Sequence, residues 1–352
     1  MATATELLDL TVLSRGEKVR FDIVDSASRL VGTVTPQRPV TIDNDSSQQI
    51  KRRMTNFVLS ASDYASFNPL THRVKAYWVL SSGNEYPLGV FMCADAQSAR
   101  YSYGRTLSAT FVDLGLLLSQ QLAETLSFPD GTLATSVITQ TLNAAGVFSV
   151  SAGASNYTLG SPIAYPAGRG GTTYAKVLED ICSKAGYYAA YFDNTGVLQV
   201  RATQVVASVT PTLNYIDGGR IISQSITESN DLLTAPNRFT VIDTSATTGA
   251  VAYPYPIPAT APHSFENRGF YLTKVIEAPG VGDVGQARQV AQAYYTQNPQ
   301  AYETVVWSSP ADPRHDTFDV VNFRGTNYLE TKWSLVCMPG GPMTHTASRV
   351  YL

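Results

Sequence analysis

Asp312, His315, Asp316 and Asp319 lie close together in the stretch ADPRHDTFDVV. Carboxylates mixed with an imidazole are the donor set that holds a divalent metal. Pro310 and Pro313 bracket the same stretch, and Asp316 and Asp319 stand where a strand begins. An aspartate-rich turn satisfies its own backbone amides and explains these residues without a metal. The expectation is a structural turn.

Gly168-Arg169-Gly170-Gly171-Thr172 precedes a helical pattern. Amides at a helix start can cradle phosphate. The stretch lacks the P-loop lysine, and no buried strand leads into it, so it reads as a loop. No G-x-S-x-G occurs, and His72, His263, His315 and His345 stand in no nucleophile–base motif. Glu179-Asp180 reads as the solvated face of a helix. Lys51-Arg52-Arg53 is the largest basic cluster and reads as a solvated strand entry, not a phosphate contact. Tyr187, Tyr188, Tyr191, Tyr253 and Tyr255 have the chemistry to stack on sugars, but packing in a core or subunit interface accounts for them. No catalytic residue, cofactor-binding residue or metal ligand is assigned. Neither enzyme activity nor a cofactor is expected.

The composition bounds what must position these groups. The 352 residues suit two to three domains, and 44% are apolar, enough for sizeable cores. Only 15% are charged, against about 25% in an average soluble protein. Ser, Thr, Asn, Gln and 20 tyrosines must supply the polar surface, which suits a β-rich chain with extensive protein–protein contacts. A formal net charge of -3 argues against a nucleic-acid binder. Cys93, Cys182 and Cys337 are far apart and odd in number, so buried reduced thiols are expected, not disulfides or zinc. No signal peptide and no apolar run of membrane-spanning length is read, so assembly in a cytoplasm is expected.

Val40–Gln97 organises the chain. It contains the strand-like segments Met54–Ser60, Arg73–Leu80 and Tyr86–Ala94. Val74, Ala76, Trp78 and Leu80 share one face at a period of two, and Ser82-Gly83-Asn84 closes a hairpin. Val19–Val24, Leu30–Thr35 and Tyr101–Val112 add strands, and Thr3–Leu13 is a short helix or arm. Asp113–Ala123 carries a leucine run read as helical. Thr132–Ala145 places Leu133, Val137, Ile138, Leu142 and Ala145 on one helical face, with Gly146 as its stop. Thr172–Ala185 repeats the pattern, with Thr172 or Thr173 as cap and Gly186 at the end. Asp193-Asn194-Thr195-Gly196 turns a hairpin between Tyr187–Phe192 and Val197–Ala202. Strands follow at Ile221–Glu228, Asn237–Asp243 and Gly269–Ile276. Thr244–Pro262 reads as a proline-rich loop that cannot be a central strand. Asp283–Gln297 is a helix, and Tyr302–Val306, Phe318–Arg324, Lys332–Cys337 and His345–Tyr351 are strands.

The order of several pieces carries a resemblance. Arg52-Arg53 precedes a strand. Pro69-Leu70 and Arg73-Val74 open the next one, and Leu88-Gly89-Val90-Phe91 returns it. Ala185-Gly186-Tyr187 and Asp193–Gly196 end the helical insertion, and Asp319-Val320-Val321 starts a late strand. This pattern resembles the tail hub family of long-tailed bacteriophages (baseplate hub or tail-tip minor tail proteins). The resemblance implies a mainly β chain with an α+β insertion. Its parts would be an N-terminal arm at 1–14, a first β-barrel hub domain at 15–105 and an α+β domain at 106–202. A second barrel-like domain would span 203–352, with a helical insertion near 283–297. It further implies a structural virion protein forming a trimeric hub at the distal end of the tail. The implied partners are the tail tube or distal tail protein, the tape-measure protein and tip or receptor-binding proteins. DNA would pass only transiently through the lumen. Two alternatives stand beside it. One is a receptor-binding or cell-wall-directed protein that binds or hydrolyses carbohydrate, although no appended enzyme domain is expected. The other is a hexameric distal tail ring.

Overall fold

The computed structural model describes residues 16–101, 104–168, 171–211, 213–216, 221, 226–243, 251–278, 280–281, 283–297 and 301–351. The expected arm at Thr3–Leu13 lies outside them.

Alternation builds the first β region. Val74, Ala76 and Trp78 are fully buried on one face of the strand Arg73–Val79, as their period of two requires. The hairpin to Glu85–Tyr101 closes at Ser81–Asn84, where Leu80 N–H donates to Asn84 O at 2.9 Å. Gly89 has φ +145, and a Cβ there would lie 2.6 Å from the Phe91 ring. Only glycine fits this bend in the hairpin. Phe57 packs edge-on between Phe21 and Phe111, with ring centroids 5.5 and 4.9 Å away. Each such buried ring contributes about 2–3 kcal/mol through area removed from water.

The strands run as one path of hydrogen-bonded neighbours. It begins at Thr227–Asn230 and passes Glu303–Pro310, Pro342–Ser348 and Thr326–Cys337. It then enters the first region through Val40–Asp45, Arg52–Leu59 and Gly104–Asp113. Glu85–Tyr101, Arg73–Val79 and Lys18–Val24 follow, and Leu30–Val34 ends it. Val320–Phe323 and Leu213–Tyr215 branch off this path, which makes a sheet of 13 strands. The two β regions are therefore joined directly. Val40–Asp45 pairs antiparallel with Thr326–Cys337, matching Ile42 to Leu335. Trp333, Leu335, Cys337 and Met343 accordingly sit in the same apolar core as Phe21, Phe57 and Trp78. The strand Val40–Asp45 had no reading of its own in the sequence, although its burial alternates cleanly.

The insertion packs its helices Ala134–Ala144 and Tyr174–Lys184 through Val137, Ile138, Leu142, Val177, Leu178 and Ile181. Thr173 is the cap of the second helix and accepts the Lys176 N–H. The first helix ends as expected: Val147 N–H reaches Leu142 O at 2.9 Å across Gly146 at φ +73. Leu133 departs from the expected face and is half exposed, because it is the extended residue before the first turn. The leucine run yields only a single turn, Gly115–Leu118. Gly196, at φ +85, turns the insertion's hairpin against Val90 of the first region.

A separate sheet lies in the third region, the part of the chain after residue 202. Arg238–Asp243 is central, flanked by Val251–Pro256 and Thr273–Glu277, and the helix Val284–Gln297 covers it. Residues 251–256 are thus a strand and not the loop expected for Thr244–Pro262. Pro254 and Pro256 are accommodated because they occupy an edge strand, where no donor is needed outward. Of Ile221–Glu228, residues 222–225 lie outside the described residues. The described strand there is Thr227–Asn230.

Candidate functional site

The aspartate-rich turn does not gather into one site. Asp312 holds the Arg314 guanidinium, at 2.9 Å to Nε and 2.7 Å to Nη2. Asp319 accepts the Asp316 N–H at 2.7 Å, and Asp316 accepts the Thr317 N–H at 2.6 Å. These are the turn's own bonds, as the sequence reading expected. Burial, with the neighbouring Asp316 charge, pushes the Asp319 carboxyl up to about 6.

What the turn does is join all three regions. From the first region, Asn44 donates to Thr317 Oγ1 at 2.7 Å, and Arg52 pairs with the Asp316 carboxylate. From the insertion, Asn194 donates to His315 O at 2.8 Å, and Arg201 donates to the carbonyls of Thr317 and Phe318 at 2.7 and 2.9 Å. Tyr188 stacks on Phe318 at 4.5 Å. Phe318 is buried at φ +61, a left-handed conformation that bulky side chains avoid at a cost of about 1–2 kcal/mol. The Arg201 clamp and the Tyr188 stack hold it there.

The basic triplet is not solvated as expected. Arg52 is 1% exposed and Lys51 is 6% exposed; only Arg53 faces solvent. Arg52 sits over the Trp333 ring, and its Nε and Nη1 lack a protein partner. The Lys51 ammonium donates to Ser46 O at 2.7 Å and also to Gln48 O, tying the loop before its strand. Burial brings its pKa down to about 8, opposed by the Asp113 charge. Asp113 is pushed up by burial, although Arg52 N–H and Gly115 N–H donate to it at 2.8 Å each. The alternation of a strand explains why one of two adjacent arginines turns inward.

His315 bonds outside the turn. Its Nδ1 lies 2.5 Å from Glu330 Oε2, and its Nε2 lies 2.5 Å from Tyr215 Oη. His345 Nδ1 lies 2.7 Å from Glu330 Oε1, and its Nε2 lies 2.8 Å from Ser309 Oγ. Trp307 stacks on His345 at 4.8 Å. Burial raises the Glu330 pKa and lowers that of His345, so both are pressed toward their neutral forms. Sequence reasoning singled out His315 and not Glu330. A glutamate in a β-rich, apolar strand was the available signal.

The other candidates scatter. Glu179 is exposed beside Lys176, but Asp180 is not free surface: it takes the Tyr165 hydroxyl and the buried Lys184 at 2.9 Å. Tyr187, Tyr188 and Tyr191 are buried, and Tyr253 and Tyr255 pack on the third-region core, as aromatic packing predicts. Arg169 and Gly170 of the glycine-rich loop lie outside the described residues. Cys182 and Cys337 are buried free thiols, and Cys93 is half-buried. A cleft of about 460 Å³ beside Lys51 is lined by Ser46, Gln48, Thr173, Glu179 and Tyr294 among others, with no histidine or cysteine on its wall. No described helix is long and apolar enough to cross a membrane.

No family model matches the sequence, and no curated protein matches it. Solved structures do. The tail protein from Neisseria meningitidis MC58 is similar at TM-score 0.64 and 13% identity, over 95% of this chain and 98% of that one. The 43 kDa tail protein of prophage MuSo2 from Shewanella oneidensis is similar at TM-score 0.63 and 14% identity, over 95% and 98%. This chain has the fold of phage tail proteins. A further example of the tail-protein fold is the E. coli c3393 protein. It is a component of the type VI secretion system with structural similarity to the T4 bacteriophage tail proteins gp27 and gp5. It matches at TM-score 0.53 and 9% identity, over 95% of this chain and 75% of that one. These neighbours agree with the hub resemblance carried by the sequence.

Proposed function

We propose that this chain is a structural virion protein. In this reading, three copies form the hub at the distal end of a phage tail and continue the channel of the tail tube. The carrying observation is the fold likeness to phage tail proteins, which spans nearly the whole of both chains. Two features of the molecule support a ring. The low charge content suits large subunit contacts, because charged groups are depleted at interface cores. Among the described residues, the main sheet also ends in two strands, Leu30–Val34 and Thr227–Asn230, that each have one neighbour in its path. A head-to-tail contact between two different edges closes into a ring when its rotation is right. Leu30 and Val31 are exposed at one such edge, where an unpaired strand is a pairing template.

The division into a first hub domain at 15–105, an insertion at 106–202 and a second hub domain at 203–352 belongs to the same proposal. So do the partners: the tail tube or distal tail protein on one side, tip proteins on the other, and the tape-measure protein in the lumen. The role is geometric and non-enzymatic. Light scattering on the purified chain, alone and with tail partners, tests it. A particle of three chains is expected; six chains would point to a distal tail ring. A strict monomer at high concentration with partners present would overturn the reading.

A further inference from the structure

We propose that His315, Glu330 and His345 form a buried binding site for one divalent transition-metal ion, with zinc the best match. Among the described residues this is the group of three potential ligands that converges, with donor atoms within 4.8 Å of one another. The three arrive from separate elements: the turn before Val320–Phe323, the strand Thr326–Cys337 and the strand Pro342–Ser348. All three are at most 2% exposed.

The way the two ring nitrogens face the two Glu330 oxygens is what points to a cation. Ser309 Oγ stands 2.8 Å from Pro310 O and 2.8 Å from His345 Nε2. A hydroxyl carries one proton, and a carbonyl carries none. With the Ser309 proton on Pro310 O, Ser309 accepts from His345 Nε2–H. The Nδ1 lone pair of a neutral His345 then faces Glu330 Oε1 at 2.7 Å. That contact holds either a proton, carried by the Glu330 carboxyl or by the ring, or a metal ion. A proton there serves one ring only. A divalent ion serves both imidazoles and both carboxylate oxygens together.

The surroundings have the form of a metal's outer shell. Metal-bound histidines donate their second N–H to a neighbouring acceptor, which fixes the ring. Here His315 Nε2 meets Tyr215 Oη at 2.5 Å and His345 Nε2 meets Ser309 Oγ. Two imidazole nitrogens and both oxygens of Glu330 supply four donors, the number of a closed zinc site. Imidazole with a carboxylate favours zinc over magnesium or calcium, which prefer oxygen alone. Bonds of about 2.0–2.2 Å to zinc ask the present N···O contacts to widen to about 3 Å. Glu330 lies at a β-bulge, where the strand departs from the regular pleat. Burial means the ion enters as the chain folds.

The full chain, expressed in zinc-supplemented medium, is analysed for bound metal. It is also refolded with zinc or with cobalt. About one ion per chain is expected, with visible bands of protein-bound cobalt after cobalt refolding and a higher melting temperature with zinc than with chelator present during refolding. His345→Gln should lose the ion while keeping its circular dichroism. Should that variant fail to fold, the wild-type cobalt spectrum decides alone. Folded wild-type protein holding less than about a tenth of an ion per chain after both treatments overturns the proposal and leaves a hydrogen-bonded core cluster.

Discussion

Arg52 and Asp316 stand 264 residues apart in the chain and form an ion pair with the arginine side chain 1% exposed. The pair bolts the first β region to the turn that the third region presents. Removing one partner of a buried pair leaves a charge without its counter-ion. Arg52→Met and Asp316→Asn should each lower unfolding free energy by ~3 kcal/mol in urea titrations. The double variant should cost clearly less than the sum, since one interaction is lost once. Additive losses would mean the two groups do not act as a pair.

Lys51 gives a pH dependence with a definite sign. Its ammonium has an ordinary pKa of 10.5 and about 8 when buried here. Below pH 8 both states keep the proton, and the folded state bears the full burial cost. Between about 8 and 10.5 the unfolded chain holds the proton and the folded one releases it, so stability rises with pH. Against a Lys51→Met reference, which cancels the tyrosines and cysteines that titrate nearby, the wild type should gain ~2 kcal/mol from pH 8 to pH 10. A flat difference would show that the amine stays charged.

The joint between the β regions is a central strand, so a proline inside it should be severe. Thr41 has a partner on both sides, Val336 and Thr55. Thr41→Pro removes the amide donor and should cost ~3 kcal/mol or more. Trp78 of the first region and Trp333 of the third should report a common unfolding midpoint in the wild type, because they share one core. Midpoints that separate would mean the regions unfold apart.

Assembly should be separable from folding at the sheet edge. Val31 is about half exposed on the terminal strand Leu30–Val34. Val31→Lys should change monomer stability by less than ~0.5 kcal/mol, as surface substitutions do. It should shift the proposed three-chain particle toward single chains, since an edge lysine blocks strand pairing. An unaltered particle mass would place the subunit contact elsewhere.

Much of the molecule was legible locally. The hairpin at Gly83, the helix stop at Gly146, the Thr173 cap and the buried face of Val74, Ala76 and Trp78 follow from turn chemistry and periodicity. These depend on neighbours within a few residues, which a sequence displays. Asp316 and Asp319 accept amides of their own turn for the same reason.

What sequence position alone determined, then, is the identity and facing of most elements and the family likeness carried by their order. What tertiary structure alone decided is the pairing of Val40–Asp45 with Thr326–Cys337, the inward turn of Arg52, and the meeting of His315, Glu330 and His345. Each of these depends on which distant backbone lies alongside. The free energy that selects it comes from burial and charge pairing summed over the whole fold. A residue such as Glu330 keeps the same letter whether it points to water or to two histidines, and only the neighbouring strands choose between them.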